Sequence, residues 1–133
     1  MRVAVDTNIF ISSFFGGLPR EIIELWKTGR IELCLTSTVL EEYMEVLSRM
    51  GMAKEKEGAE LLELFRKRYH CHFAARTPSL KLCDDPDDDK FIEAAVALKA
   101  KAIVSGDKAL LRVKEYVGIR IYTPREFLKF LGK

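Results

Sequence analysis

The sequence has little sulfur and little imidazole. Three cysteines, Cys34, Cys71 and Cys83, and two histidines, His70 and His72, are spread over 133 residues with no CxxC spacing. An odd, sparse set of this kind excludes a disulfide framework and a zinc ribbon, and it reads as reduced thiols in a cytoplasmic protein. Long apolar runs are also lacking. The longest uncharged stretch near the start, TNIFISSFFGGLP, is too short to span a bilayer, and no basic segment followed by an apolar core precedes it. Membrane partners and a secretory leader are therefore not expected. Linkers, repeats and low-complexity tracts are absent, and no Asn-Gly pair sits between two strand-like runs to announce a hairpin. The chain is expected to be a single domain over residues 1–133.

Charge is plentiful but nearly balanced, at a net +2. The balance hides a concentration of one sign, because residues 84–89 read DDPDDD. The rest of the chain is correspondingly more basic.

Short β-branched runs alternate with amphipathic segments. RVAVD, IELCL, CHFAA, AIVSGD and IRIYT read as strands. NIFISSFFGG reads as a short helix or ordered loop. PREIIELWKTG, TSTVLEEYMEVLSRMG, EKEGAELLELFRKRY, DDPDDDKFIEAAVALKAK, KALLRVKEY and PREFLKFLGK read as helices. In TSTVLEEYMEVLSRMG the apolar face is set by Leu40, Met44 and Leu47. Strand–helix alternation calls for a parallel sheet with helices on both faces, a three-layer α/β/α sandwich.

Two acids stand at strand ends. Asp6 follows the first strand and Asp107 the fourth, and in open parallel sheets ligands sit outside the carboxyl ends of the strands. Either acid alone could be a helix cap. The Asp run resists that explanation. Asp85-Pro86 makes a good helix start, and with acids in the first turn suiting the helix dipole this explains two or three of the aspartates. Five do not. Neighbouring carboxylates at about 4 Å repel by on the order of 4 kcal/mol at an effective dielectric of about 20, while the dipole returns about 0.3–1 kcal/mol per charge. At about 100° per residue, Asp88 lies nearest the face of Phe91, Ala94, Ala95 and Leu98. Asp85 and Asp89 lie about 100° or more from that face, and Asp84 and Asp87 are expected in solvent. In the EEYMEVL segment, Glu42 is marginally nearest the apolar stripe among Glu41, Glu42 and Glu45.

Clustered carboxylates without imidazole or thiolate partners select hard cations, Mg²⁺ or Mn²⁺. A calcium loop of the EF-hand kind is excluded. Counting from Asp85, the sixth position is Lys90 rather than glycine and the twelfth is Val96 rather than glutamate.

DTN after the first strand, EEY in a helix, DPDDDKF at a later helix start and SGDKALL after the fourth strand together resemble the PIN-domain nucleases. Within them the pattern is most similar to the branch of toxin components of toxin–antitoxin systems. The resemblance covers essentially the whole chain. It implies a five-stranded parallel sheet of order 3-2-1-4-5 and a ribonuclease dependent on Mg²⁺ or Mn²⁺, leaving 5′-phosphate and 3′-hydroxyl ends. Carried over motif by motif, Asp6, Glu42, Asp88 and Asp107 match the four acids. Asp89, eighteen positions before Asp107, is the second candidate for the third acid, and Asp85 is a further candidate ligand. Asn8 and Ser105 match positions that hydrogen-bond near the acids. RNA is the implied substrate, with an antitoxin protein and a second copy of the chain as partners. For the polyanion, the FRKRYH cluster of Arg66, Lys67 and Arg68 and the site-adjacent Lys108 are candidate contacts, with Lys90, Arg112 and Lys114 close in sequence. Phe10, Ile11, Phe14, Phe15 and Leu18 are either core or a partner face.

Two other readings remain at this point. A PIN scaffold can bind RNA or protein without turnover, or process RNA as a housekeeping enzyme. An aspartyl-phosphate enzyme of the dehalogenase type is disfavoured, because the DxD it needs has Asn8 at its third position.

Overall fold

The structure, a computed structural model, describes residues 1–133. Its elements run β1 (Arg2–Val5), α1 (Thr7–Ser13), α2 (Gly17–Lys27), β2 (Glu32–Leu35), α3 (Ser37–Arg49), a 3₁₀ turn (Met52–Lys54), α4 (Lys56–Arg66) and β3 (Cys71–Phe73). A second 3₁₀ turn (Pro86–Asp88) leads into α5 (Asp89–Ala97), β4 (Ala102–Val104), α6 (Lys108–Val113), β5 (Glu115–Tyr116), β6 (Ile119–Tyr122) and α7 (Pro124–Phe130).

The strands form one sheet of order β3-β2-β1-β4-β6-β5. Five of them are parallel, in the order that the resemblance to PIN-domain nucleases implies, with IRIYT supplying β6. Val3, Ala4 and Val5 in β1, and Ala102, Ile103 and Val104 in β4, are all buried. A strand covered on both faces has no polar side to show, so its sequence is a continuous apolar run. Helices flank this sheet, and α5 packs on β1, β2 and β4.

The sixth strand is a correction. KALLRVKEY is not one helix. The helix stops at Val113, Lys114 takes φ 68°, and Glu115–Tyr116 pairs antiparallel with β6. The turn is Val117-Gly118, with φ 44° and 82°. Two successive positive φ values make a tight hairpin whose twist suits the strands. A valine there is strained, which is why no turn signal is visible in the sequence.

The four helices on the N-terminal side meet in an aromatic cluster. Phe10 of α1 lies edge-on to Trp26 of α2 and Phe65 of α4, and tilts against Tyr43 of α3 at 4.7 Å between centroids. The inner stripe of α3 is therefore Val39, Tyr43 and Leu47, while Leu40 and Met44 are half-buried. That is a small rotation from the expected face. The Tyr43 hydroxyl donates to the Val5 carbonyl, pinning α3 to the end of β1. Glu42, the preceding residue, is thereby held at the rim of the sheet's carboxyl edge. In the Phe10–Leu18 segment, Phe10 is core, Ile11, Phe14 and Leu18 are half-buried, and Phe15 is 82% exposed.

Candidate active site

The parallel register lines up the strand ends. Val5 pairs with Val104, and Val104 with Tyr122. The next residues, Asp6 and Ser105, extend the ladder by one bond each: Asp6 N–H donates to Val104 O at 3.0 Å and Ser105 N–H to Tyr122 O at 2.9 Å. Both side chains emerge at the carboxyl edge of the sheet, where α/β folds bind ligands.

Asp6 is 4% exposed and caps α1 through the backbone N–H of Asn8. The Ser105 hydroxyl donates to its other oxygen, Oδ2, at 2.7 Å. The same Ser105 oxygen accepts the backbone N–H of Asp107 at 2.9 Å, and Asp107 caps α6 through Ala109 N–H. A single buried hydroxyl thus ties together two strand-end acids. Asn8 contributes its backbone, while the residue as a whole is exposed.

Glu42 reaches the same place from α3. Its Oε2 accepts the hydroxyl of Thr7, and its Oε1 lies 2.7 Å from the Lys90 ammonium. The motif reading singled out Asp6 and Asn8 of DTN and passed over the residue between them. Nothing in the spacing indicates that Thr7 meets a helix thirty-five residues on.

Crowded charge marks the site. Burial raises the Asp6 carboxyl above the usual range, the hydrogen bonds from Ser105 and Asn8 oppose this, and the charges of Asp107 and Glu42 add to it. Asp88 is pushed up to about 6 by burial and then by the charges of Asp107, Asp85, Asp6 and Glu42. Asp6, Glu42, Asp88 and Asp107 therefore share one electrostatic neighbourhood. They do not close into a ready-made cage, since no three acid, histidine or cysteine side chains are gathered tightly enough to hold an ion between them. Three of the acids lean on protein donors instead, Asp6 on Ser105 and Asn8, Glu42 on Thr7 and Lys90, and Asp107 on Ala109 N–H. The donor set, all carboxylate oxygen and mutually repelling, fits a hard divalent cation.

The Asp run divides differently from the angular expectation. Asp89 is the buried member, at 4% exposed, and its Oδ1 accepts the backbone N–H groups of Leu82 (3.0 Å) and Cys83 (2.9 Å). Asp88 is half-buried, and its side chain caps nothing. The reason lies outside the helix: the segment before the Asp run folds back over Asp89, a cover that the angles within α5 do not register. Asp85 caps that turn through Asp87 N–H, and Asp84 and Asp87 are exposed as expected, Asp84 pairing with Arg112.

The basic candidates separate as well. Lys108 opens α6 directly after Asp107, at the acid edge. Arg66 and Lys67 end α4, leading into the opposite, amino end of β3, and both pair with Glu63. Arg68 stacks over the Phe73 ring at 4.3 Å. His70 and His72 do not converge: the His70 ring tilts against Tyr69, and His72 pairs with Glu32 at 3.2 Å. All three cysteines are free, and burial pushes each thiol up to about 12.

Residues 2–109 match the sequence profile of the PIN domain. The chain belongs to the PIN-domain family. An uncharacterized protein of Methanocaldococcus jannaschii, MJ1680, is 27% identical over 147 residues, covering 100% of this chain and 93% of its own. The crystal structure of VapBC2 from Rickettsia felis bound to a DNA fragment from their promoter is similar in fold. Its TM-score is 0.57 at 17% identity, over 92% of this chain and 98% of that one. PIN domains are nuclease domains as a family. No helix of this PIN domain is long and apolar enough to cross a membrane.

Proposed function

We propose that this PIN domain is an endoribonuclease that depends on Mg²⁺ or Mn²⁺ and acts as the toxin of a toxin–antitoxin pair in the cytoplasm. The observation that carries the nuclease reading is the mutual electrostatic crowding of Asp6, Glu42, Asp88 and Asp107 at the carboxyl edge of the sheet. These four residues would hold the cation, with Asp85 nearby. When bound, such an ion supplies Lewis-acid stabilisation of phosphoryl oxygens and a water more easily deprotonated at neutral pH.

The chain's own residues do the positioning. Ser105 fixes the Asp6 carboxylate and the Asp107 backbone with one hydroxyl. Thr7 and Lys90 fix Glu42. Lys108 brings positive charge to the acid edge, where a phosphate backbone has to approach. Arg66, Lys67 and Arg68 stand farther round and would serve only a longer RNA. The toxin assignment rests on the DPDDDKF and SGDKALL motifs and on the likeness to VapBC2. The exposed Phe15 is the point on the Phe10–Leu18 segment where an antitoxin or a second copy would gain contact.

The test is cleavage of single-stranded RNA by purified protein with Mn²⁺ and with EDTA, alongside Asp6→Asn. Asparagine keeps the cap on α1 but loses the charge. The variant should fold normally and cleave about 10²–10³-fold more slowly or worse. Cleavage by Asp6→Asn at the wild-type rate, or undiminished cleavage in EDTA, would refute the reading.

A further inference from the structure

Lys90 is the only lysine or arginine that forms an ion pair with one of the four acids; the nearby Arg112 pairs with Asp84 in solvent. It projects from the first turn of α5, directly after the buried anchor Asp89. Its side chain is 18% exposed and its Nζ lies 2.7 Å from Glu42 Oε1. The other Glu42 oxygen is taken by Thr7. Both oxygens of this acid are therefore committed to protein donors. Asp6 is likewise held at both, but by the neutral Asn8 N–H and Ser105 hydroxyl, while Asp88 has no hydrogen-bond partner for its carboxylate and Asp107 uses only Oδ1. Glu42 is the acid that an incoming cation has to release from a competitor.

We infer that Lys90 is the built-in counter-ion of the acid cluster, a positioning residue that clamps Glu42 in the cation-free protein and is displaced from it when a divalent cation binds. The inference rests on the metal-dependent reading above. A monovalent ammonium on a four-carbon stem suits the role. It neutralises part of a mutually repelling set of carboxylates, yet it is flexible enough to swing away. Its charge opposes a second cation at close range, so it sets the concentration at which the site loads. The displaced ammonium stays tethered at the acid edge.

Calorimetric titration of Mn²⁺ into the wild type, Lys90→Met and Lys90→Arg tests this. Methionine keeps most of the stem and removes the charge. Lys90→Met is expected to bind Mn²⁺ about tenfold more tightly or better, and Lys90→Arg close to the wild type. Equal or weaker binding by Lys90→Met, with the wild type binding normally, overturns the role of Lys90 and leaves the metal site standing. Binding by Lys90→Met alone supports the inference in its strongest form. Failure of all three to bind sinks both readings. A second measurement needs no variant. Amine acetylation of the wild type, read by mass spectrometry, should proceed faster at Lys90 when Mn²⁺ is added, with the exposed Lys101 as reference. Unchanged or slower modification of Lys90 in a protein shown to bind Mn²⁺ overturns the clamp even if the methionine variant does not fold.

Discussion

Ser105 and Asp6, ninety-nine residues apart in sequence, are joined by a buried hydrogen bond of 2.7 Å from hydroxyl to carboxylate. The bond exists because β1 and β4 are neighbours in register, so that the residues following Val5 and Val104 emerge side by side. Ser105→Ala removes the donor to Asp6 and the acceptor for Asp107 N–H together. The expected cost is about 1–3 kcal/mol of stability, with catalysis lowered about 10–100-fold as Asp6 loses its fixed orientation. Denaturant unfolding and RNA cleavage measure the two effects separately.

Asp88 and Asp89 should behave as opposites. Asp89→Asn keeps an oxygen to accept the Leu82 and Cys83 backbone N–H groups, so it should retain most of its cleavage and its fold. Asp89→Ala leaves both donors unpaired and should lose about 1–3 kcal/mol. Asp88→Asn disturbs no backbone hydrogen bond and removes a charge from the crowded set, so it should fold and lose cleavage. Loss of activity in Asp89→Asn, with Asp88→Asn near normal, would exchange the two assignments.

The raised Asp88 carboxyl has a consequence for stability in EDTA. Its value in the folded chain, about 6, lies above the ordinary 3.8, so the folded state holds that proton more tightly than the unfolded one. The stability this confers is fully present below about pH 4 and is lost as pH rises through about 6. An asparagine at this position does not titrate. Asp88→Asn should therefore melt higher than the wild type at pH 7, with the advantage fading to nothing near pH 4. An advantage that grows toward acid pH would show that Asp88 is not repelled by its neighbours.

Gly58 in α4 lies against the 3₁₀ turn, where a Cβ would fall 1.8 Å from the Met52 carbonyl oxygen. Backbone cannot yield as a side-chain tip can, so Gly58→Ala should destabilise by about 1–3 kcal/mol or more, despite the better helix propensity of alanine. Thermal unfolding checks it. Neither α4 nor the 3₁₀ turn at Met52–Lys54 carries one of the four acids, so the folded fraction should cleave normally.

Much of this architecture is legible in the chain. β1, β2 and β4 announce themselves as mostly apolar runs because both their faces are covered, β6 by β-branched residues around the exposed Arg120, and their order follows from alternation with helices together with the motif resemblance. The strand-end positions of Asp6 and Asp107 point to one edge from the sequence alone. What is hidden has local physical causes. The β5 hairpin turns on a valine with positive φ, a residue that carries no turn signal. The burial of Asp89 rather than Asp88 follows from a preceding segment that folds back and donates its Leu82 and Cys83 N–H groups to Asp89, which helical angles do not encode. Thr7 and Lys90 serve Glu42 across thirty-five and forty-eight residues, and no periodicity within a single segment encodes that meeting.

The long span between Asp6 and its partner also bears on how the protein is made. A nascent chain emerging from the ribosome displays β1, β2 and the helix bearing Glu42 well before β4 has been synthesised. Until Val104 pairs with Val5, Asp6 has neither Ser105 nor Asp107 beside it. A half-made polypeptide therefore lacks the assembled acid edge while it sits among the message and the ribosomal RNA. That edge comes into being only once the segment carrying β4 has left the ribosome, which is a built-in delay for a protein whose proposed substrate class surrounds it at birth.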